Sequence, residues 1–370
     1  MLTLGFGTAV VGPTLPVLAR QTHASIGALG IVFSAMSVGY LFGALRSGKW
    51  FDRLSGHRVL AVALLALAAA FAVVPLMDSL AALAATFVAL GAATATIDVG
   101  TNTLLLWRYR HRVGAAMNGL HFCFGAGALV APAIVAWSIR TSNDISLAYG
   151  TLGAVTLAIA LAVWRVPDAP QRIAATERTA PVSRPQLVAL IATVFGCYVA
   201  VEVTWGGWIS SYGAARDFGD AATTAYLASV FWGMLTLGRL IAIPLANRFD
   251  SAVIIGVDFA GAALCLAVIL CAPQSAAALW FATGLLGLCL ASIFPTLLVF
   301  SGERMPASAQ TTGWYIAAAG VGNMTLPWLA GHAFASFGPA SLPWLEAAVV
   351  VAGASIFWLA TRVDSPARGS

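Results

Sequence analysis

Long apolar runs alternate with short polar connections along the whole chain. A membrane-spanning helix needs about 20 predominantly apolar residues, and division of the chain at charges and turn residues predicts twelve such helices. They cover residues 1–19, 25–48, 58–77, 80–107, 113–138, 145–165, 186–212, 222–246, 252–272, 276–301, 311–336 and 341–362. The longest connection, 167–185, is polar, charged and rich in Pro and Ala. The pattern therefore predicts an all-α membrane protein with two six-helix bundles, residues 1–166 and 186–370, joined by the linker 167–185.

An internal repeat supports this division. The stretches GAGALVAP, residues 125–132, and GVGNMTLP, residues 320–327, share the spacing G-x-G-x4-P at an offset of 195 residues. Because small residues let membrane helices approach closely, we interpret Gly125, Gly127, Gly320 and Gly322 as packing positions. Two parallel repeats of six helices place a substrate site near the membrane midplane between the halves, and they favour alternating access.

The composition and motifs of the chain argue against several classes of protein. The chain is 60% hydrophobic and 9% charged, whereas about 25% of the residues in a soluble domain are charged. The five cysteines lie in apolar runs without CxxC spacing, so neither a disulfide nor a metal site is predicted. The sequence has no nucleophile elbow and no GxxxxGK[ST] phosphate loop, which argues against an enzyme and against an ATP-driven pump.

Basic residues concentrate on alternate connections between the predicted helices. Of the 19 Lys and Arg residues, only Arg20, Arg140 and Arg216 fall on one side, while Arg239 is counted with the larger group on the other. The positive-inside rule then predicts that both termini and the linker are cytoplasmic. We expect a multi-pass protein of a plasma membrane, here a bacterial inner membrane.

Asp98 is the first candidate functional residue, because a carboxylate near the centre of a spanning helix costs about 2.5 to 3.5 kcal/mol even on mild scales. Asn102 lies one turn later, and Asn118, His121 and Phe122 share a face of the next helix. For His121, a structural role in the core is an equally supported alternative. Asp98 could exchange a proton or, with oxygen neighbours, ligate Na⁺.

Glu202 is the second intramembrane acid, and Trp205 and Tyr212 lie on roughly its face of the helix. A carboxylate beside aromatic rings suits a sugar, whose hydroxyls need hydrogen bonds and whose CH faces pack on rings. The alternative for Trp208 and Tyr212 is an interfacial belt. We expect Gly206 and Gly207 to interrupt the helix.

The second half offers further candidate residues for lining a cavity. They are Ser292, Phe294, Trp314 and Asn323, with packing or a helix kink as the alternative for Phe294 and Pro295. Asp258 and Glu346 lie near predicted helix ends, so we interpret both as interfacial.

The stretch GKWFDRLSGHR, residues 48–58, resembles the loop motif G-x-x-x-D-R-x-G-R-[RK] of the major facilitator superfamily, with one extra residue and His57 at a usually basic position. The resemblance implies that Gly48, Asp52, Arg53 and Arg58 form a conformational switch. Further stretches resemble the branch that contains bacterial fucose:proton symporters and animal sodium-dependent glucose transporter-like proteins. They are DVGTNTLLLW, MNGLHFCFGAGALVAP, VEVTWGGWISSY and LASIFPTLLVFSGER.

This resemblance implies a secondary active transporter that carries a monosaccharide or similar polyhydroxylated solute together with H⁺ or Na⁺. Asp98 and Asn102 match an acid and an Asn of the fucose symporters, whereas their acid in the first helix is replaced here by Gly12 or Pro13. The alternatives are an exporter or facilitator of an amphipathic or aromatic compound, and a receptor or scaffold without transport. We expect a monomer in the lipid bilayer, with no cofactor beyond a coupling ion and no nucleic-acid partner.

Overall fold

The computed structural model describes residues 1–109, 113–167, 184–305 and 309–363, and within these ranges the regular structure is helical throughout. Two 3₁₀ turns, Gly27–Leu29 and Val74–Leu76, accompany the α-helices. The helices are α1 (Leu2–Ala9), α2 (Val11–Gln21), α3 (Gly30–Arg53), α4 (Gly56–Val73), α5 (Leu80–Tyr109), α6 (Val113–Ser142), α7 (Ser146–Trp164), α8 (Pro185–Ala215), α9 (Ala221–Ala246), α10 (Ser251–Cys271), α11 (Ala276–Leu290), α12 (Ile293–Arg304), α13 (Ala309–Phe337) and α14 (Ser341–Val363).

Every predicted span is occupied by a helix or by a broken pair of helices, which confirms the predicted all-α class. The first span is the pair α1 and α2, bent by 47°, and the tenth is the pair α11 and α12. Proline explains both breaks, because Pro13 and Pro295 have no N–H to donate to the carbonyls of Ala9 and Ala291, four residues earlier.

Among the described residues, ten helices are long and apolar enough to cross a membrane, or eleven when α1 and α2 count as one span. Helix α13 is not among them. Its sequence carries Asn323, His332 and several Gly and Thr residues, which lower its apolar character although it is 29 residues long.

The contacts divide the chain into two compact units, Met1–Thr176 with Gly207–Trp232, and Glu177–Gly206 with Gly233–Ser370. The domain boundaries expected from the linker stay a prediction. Within the first unit, α3 packs on α5 through small residues. A Cβ at Gly39 would lie 1.9 Å from the Val88 carbonyl oxygen, and one at Gly91 would lie 2.0 Å from that of Met36. Such close backbone approach is typical of membrane helix pairs.

In the second unit, α10 packs against α11, α12 and α14, and α13 packs closely against α8. A Cβ at Gly322 would lie 2.1 Å from the Gly196 carbonyl oxygen. The packing interpretation is therefore confirmed for Gly322, and for Gly127, where a Cβ would lie 2.1 Å from the Leu2 carbonyl oxygen. It is wrong for Gly320, where no atom lies within 4 Å of an added Cβ.

The expected interruption at Gly206 and Gly207 is also wrong, because α8 runs without a break from Pro185 to Ala215. A Cβ at Gly207 would lie 2.6 Å from the Phe33 ring. The glycine therefore makes room for an aromatic side chain on the opposing helix and does not end α8.

Candidate functional site

The Asp98 carboxylate lies in α5 and accepts hydrogen bonds from two side chains. The Tyr40 hydroxyl donates to Oδ2 at 2.5 Å, and the Asn102 amide donates to Oδ1 at 2.9 Å. Asn102 also donates to the backbone carbonyl of Asp98 at 2.9 Å. Since α3 packs along α5, the acid is held between an amide of its own helix and a phenol of the neighbouring helix.

Tyr40 is missing from the sequence-based site because an aromatic residue in an apolar helix resembles a core residue. Thr101 donates to the Ile97 carbonyl at 2.7 Å and to the backbone carbonyl of Asp98 at 3.1 Å, and Ser47 donates to Thr96 at 3.1 Å. The only signal in the sequence was that a buried acid needs a donor from another helix.

The face of α6 that carries the other candidates of the first unit is described in part. His121 is exposed, and the Phe122 side chain is 51% exposed. The Asn118 side chain lies outside the described part of the chain. The shared polar stripe of these three residues therefore stays a prediction.

Glu202 in α8 is buried and has two partners in the second unit. The Tyr198 hydroxyl, one turn earlier on α8, donates to its Oε2 atom, and the Arg239 guanidinium of α9 lies 3.8 Å from its Oε1 atom. This position corrects the interpretation of Arg239 as a charge of a cytoplasmic connection. Arg239 lies inside α9, where it compensates a buried acid.

Aromatic rings pack around Tyr198. Phe294, at the start of α12, lies 6.2 Å from the Tyr198 ring and makes an edge contact of 5.0 Å with Phe195. Phe195 also stacks on Tyr315 at 5.1 Å, and the Tyr315 and Ser301 hydroxyls are 2.7 Å apart. The structure thus brings the predicted residues Glu202 and Phe294 into one cluster through Tyr198.

Other candidates of the second half are not joined to this cluster by the contacts of the described residues. Trp314 of α13 is 57% exposed, and Asn323 is half-exposed. Trp205 is fully buried, and its indole Nε1 has no hydrogen-bond partner within the described part of the chain. An unmet donor at such a position marks a place for a water or a ligand group.

Trp208 and Tyr212 belong to the first unit and are buried. The Trp208 ring lies 6.2 Å from that of Phe33. Burial of both side chains argues against the interfacial belt, since a belt presents its rings to lipid headgroups.

Two acids of the second unit are not interfacial as expected. Ser292, at the break between α11 and α12, donates a hydrogen bond to the Asp258 carboxylate of α10. Glu346 of α14 is 0% exposed, and its carboxylate oxygens have no hydrogen-bond partner among the described residues. Glu346 is fully buried and Asp258 is half-buried beside Ser292, so distance from a helix end does not determine their surroundings.

Comparison with known proteins identifies the family of this chain. The family model described as Major Facilitator Superfamily matches residues 1–313. The chain belongs to the Major Facilitator Superfamily. Its fold and family are those of membrane transporters, and the predicted arrangement of twelve helices in two six-helix bundles is confirmed.

Curated relatives and solved structures are similar to this chain over nearly its whole length. The chain is 25% identical to sodium-dependent glucose transporter 1A of Mus musculus, covering 89% of this chain and 87% of that protein. It is 24% identical to human major facilitator superfamily domain-containing protein 4A, covering 91% and 85%. A crystal structure of a D-xylose-proton symporter has a TM-score of 0.76 at 15% identity, covering 96% and 94%, which is evidence for the fold.

The superfamily loop motif lies where α3 ends and α4 begins. Arg53 is the last residue of α3, and the Ser55 hydroxyl caps α4 by accepting from the Arg58 backbone N–H at 3.4 Å. Both arginine side chains are exposed, and no atom lies within 4 Å of a Cβ added at Gly48. The Asp52 side chain lies outside the described part of the chain, so the switch role of the motif stays a prediction.

Proposed function

We propose that this transporter carries a monosaccharide or a similar polyhydroxylated solute inward by alternating access, coupled to H⁺ or Na⁺. The names of the curated relatives, sodium-dependent glucose transporter 1A among them, support a sugar. We further propose that the protein acts as a monomer in a bacterial inner membrane with both termini in the cytoplasm.

The observation that carries the sugar proposal is the arrangement on α8. Glu202 supplies carboxylate acceptors, and Trp205, three residues later, supplies a buried indole N–H with no described partner. The Tyr198 ring lies beside the acid, and the Phe294 ring packs against Tyr198. Donors, acceptors and ring faces together satisfy both the hydroxyls and the CH faces of a sugar ring.

Asp98 would serve the coupling ion. Its carboxylate is held by Tyr40 and Asn102, so a cation that reaches it meets oxygen atoms of fixed position. Asp98 is half-buried, which leaves it open on one side.

The test is counterflow of labelled D-glucose, D-xylose and L-fucose in liposomes containing the purified protein. We expect saturable exchange of at least one sugar, and uptake against its gradient when a Na⁺ or pH gradient is imposed. Asp98→Asn should lower the gradient-driven part by more than tenfold, and Glu202→Gln should abolish exchange. Asp78→Asn, which changes an exposed acid between α4 and α5, is the matched control and should retain both activities.

Three outcomes would contradict the proposal. Exchange of none of the sugars would favour an exporter or facilitator of an amphipathic compound, to be tested with aromatic substrates. Full activity of both Asp98→Asn and Glu202→Gln would remove the proposed site. Exchange of no solute, with folding intact, would favour a receptor or scaffold.

A further inference from the structure

The break between α11 and α12 removes a helical hydrogen bond inside a span that otherwise crosses the membrane. Helix α11 ends at Leu290 and α12 begins at Ile293. The Ala291 N–H turns back to the Leu288 carbonyl at 3.3 Å, and the α-helical pattern resumes where the Thr296 N–H donates to the Ser292 carbonyl at 3.0 Å. Between these bonds, Pro295 has no N–H for the Ala291 carbonyl. In a bilayer such an oxygen needs another partner.

A carboxylate lies directly beside this break. Asp258 is seven residues into α10, about 10 Å from its beginning at 1.5 Å per residue, and it accepts a hydrogen bond from the Ser292 hydroxyl. Ser292 is buried and Asp258 is half-buried. A carboxylate, a hydroxyl and a backbone carbonyl without its helical donor therefore belong to one small region of the second unit.

The negative charge of Asp258 has no basic side chain to compensate it on the helices that pack against α10. Helices α10 and α11 contain no Lys, Arg or His. On α12 and α14 the basic residues are Arg304 and Arg362, in the last turn of each helix. Arg304 pairs with Glu303 at 3.0 Å, and Arg362 lies over the Trp358 ring at 4.8 Å.

The other ionisable groups on these helices are acids and thiols, whereas α9, whose Gly238 packs against Ala291, carries Arg239. Glu303 accepts from Ser251 at 2.6 Å at the beginning of α10, Glu346 lies on α14, and Cys265 and Cys289 lie on α10 and α11. Acids and thiols cannot neutralise a carboxylate, and Arg239 is paired with Glu202. Asp258 thus differs from Glu202, which has the Arg239 guanidinium 3.8 Å away.

We propose that Asp258, Ser292 and the Ala291 carbonyl form a binding site for Na⁺. Sodium is a hard cation that prefers oxygen ligands, and broken membrane helices offer carbonyl oxygens for such ions. Sodium bound at this site would be a coupling ion, so this inference rests on the proposed symport. Binding itself needs no sugar, so the site can be tested separately.

The experiment follows thermal unfolding of the detergent-purified protein without sugar, at constant pH and ionic strength, while NaCl replaces choline chloride. A ligand that binds the native state raises the melting temperature by mass action, so we expect a saturable rise with Na⁺ and none with K⁺. Asp258→Asn and Ser292→Ala should lose this rise or shift its half-saturation at least tenfold. Asp250→Asn, which changes the exposed acid that precedes α10, is the matched control and should keep it.

Ser292→Ala removes one hydroxyl and keeps the proposal testable if Asp258→Asn does not fold. A melting temperature of the wild type that does not change when Na⁺ replaces choline, or a Na⁺-dependent rise that survives in both variants, would overturn the site. Loss of the rise only in Asp98→Asn would place sodium at the Tyr40 cluster instead. A rise that depends on Asp258 in a protein that exchanges no sugar would keep this site and reject the sugar.

Discussion

The Tyr40 hydroxyl lies 2.5 Å from the Asp98 carboxylate and joins α3 to α5 at the acid that the sequence marks as the first functional residue. Hydrogen bonds to a charged group contribute about 1.5 to 3 kcal/mol. The Tyr40 phenol therefore holds one oxygen of Asp98 in position, and the Asn102 amide holds the other.

Tyr40→Phe should reduce gradient-driven uptake about tenfold, because loss of about 1.4 kcal/mol of positioning is a tenfold change. The effect should depend on Asp98, so adding Tyr40→Phe to Asp98→Asn should reduce uptake no further. Initial uptake rates of the two single variants and the double variant measure this coupling.

Tyr149→Phe is the matched control, since Tyr149 is buried in the same unit but shares its hydrogen bond with the neutral Thr14 hydroxyl at 3.2 Å. It should lower the melting temperature and leave uptake nearly unchanged. Equal loss of uptake in both variants would mean that Tyr40 acts only through stability.

The pair of Glu202 and Arg239 predicts unequal effects of removing its two members. The Glu202 side chain is 11% exposed and that of Arg239 is 28% exposed. Without Arg239, the carboxylate stays buried and unpaired, whereas an arginine without Glu202 can extend its long side chain toward water. Arg239→Gln should therefore destabilise the protein by about 3 kcal/mol, and Glu202→Gln by less.

Combining the two substitutions should restore most of the stability lost in Arg239→Gln, because no unpaired charge remains. Chemical unfolding of the purified variants, followed by tryptophan fluorescence, gives the comparison. A double variant that is less stable than Arg239→Gln alone would show that the ion pair is not the reason for the loss.

Much of this fold follows from the sequence, since each predicted span lies within a few residues of a helix or a broken pair. Periodicity also located Asp98 and Glu202. It did not find Tyr40, because one hydroxyl among apolar residues is indistinguishable from a core aromatic until the opposing helix is known. The sequence pattern also assigns Arg239 to the cytoplasmic side, because a basic residue near a helix end fits the positive-inside rule equally well.

The glycine positions also show that sequence spacing does not reveal which residues face a neighbouring helix. The repeat predicted equal roles for Gly320 and Gly322, yet an added Cβ would overlap the Gly196 carbonyl at Gly322 and meet nothing at Gly320. Which of two glycines faces the neighbouring helix depends on the rotation of α13 about its axis, and spacing alone does not determine that rotation.

The different surroundings of Gly320 and Gly322 provide a matched pair of substitutions within α13. Gly322→Ala should lower the melting temperature by several degrees, because α13 must move away from α8 to relieve a contact of 2.1 Å. Gly320→Ala should leave it unchanged or raise it slightly, since alanine is favoured over glycine in a helix by about 1 kcal/mol. Thermal unfolding of both variants tests the packing, and equal losses would contradict it.

Asp144, between α6 and α7, predicts a pH dependence of stability outside the membrane-spanning segments. Its carboxylate accepts from the Ser146 hydroxyl at 2.5 Å and from the Ile145 N–H at 2.7 Å. These bonds, led by that of Ser146, hold the pKa of Asp144 below its ordinary value of 3.8. A depressed pKa stabilises the folded protein above the pKa of the unfolded chain, and this contribution is lost as the pH falls through the folded value.

Asp144→Asn should therefore melt at a lower temperature than the wild type at neutral pH, and the difference should shrink as the pH falls below about 4. Ser146→Ala removes the main donor and should show the same trend with a smaller difference. Melting temperatures of the three proteins across this pH range provide the measurement. A difference between wild type and Asp144→Asn that stays constant with pH would mean that the substitution acts through the packing of the connection, since only the ionised carboxylate gains from these donors.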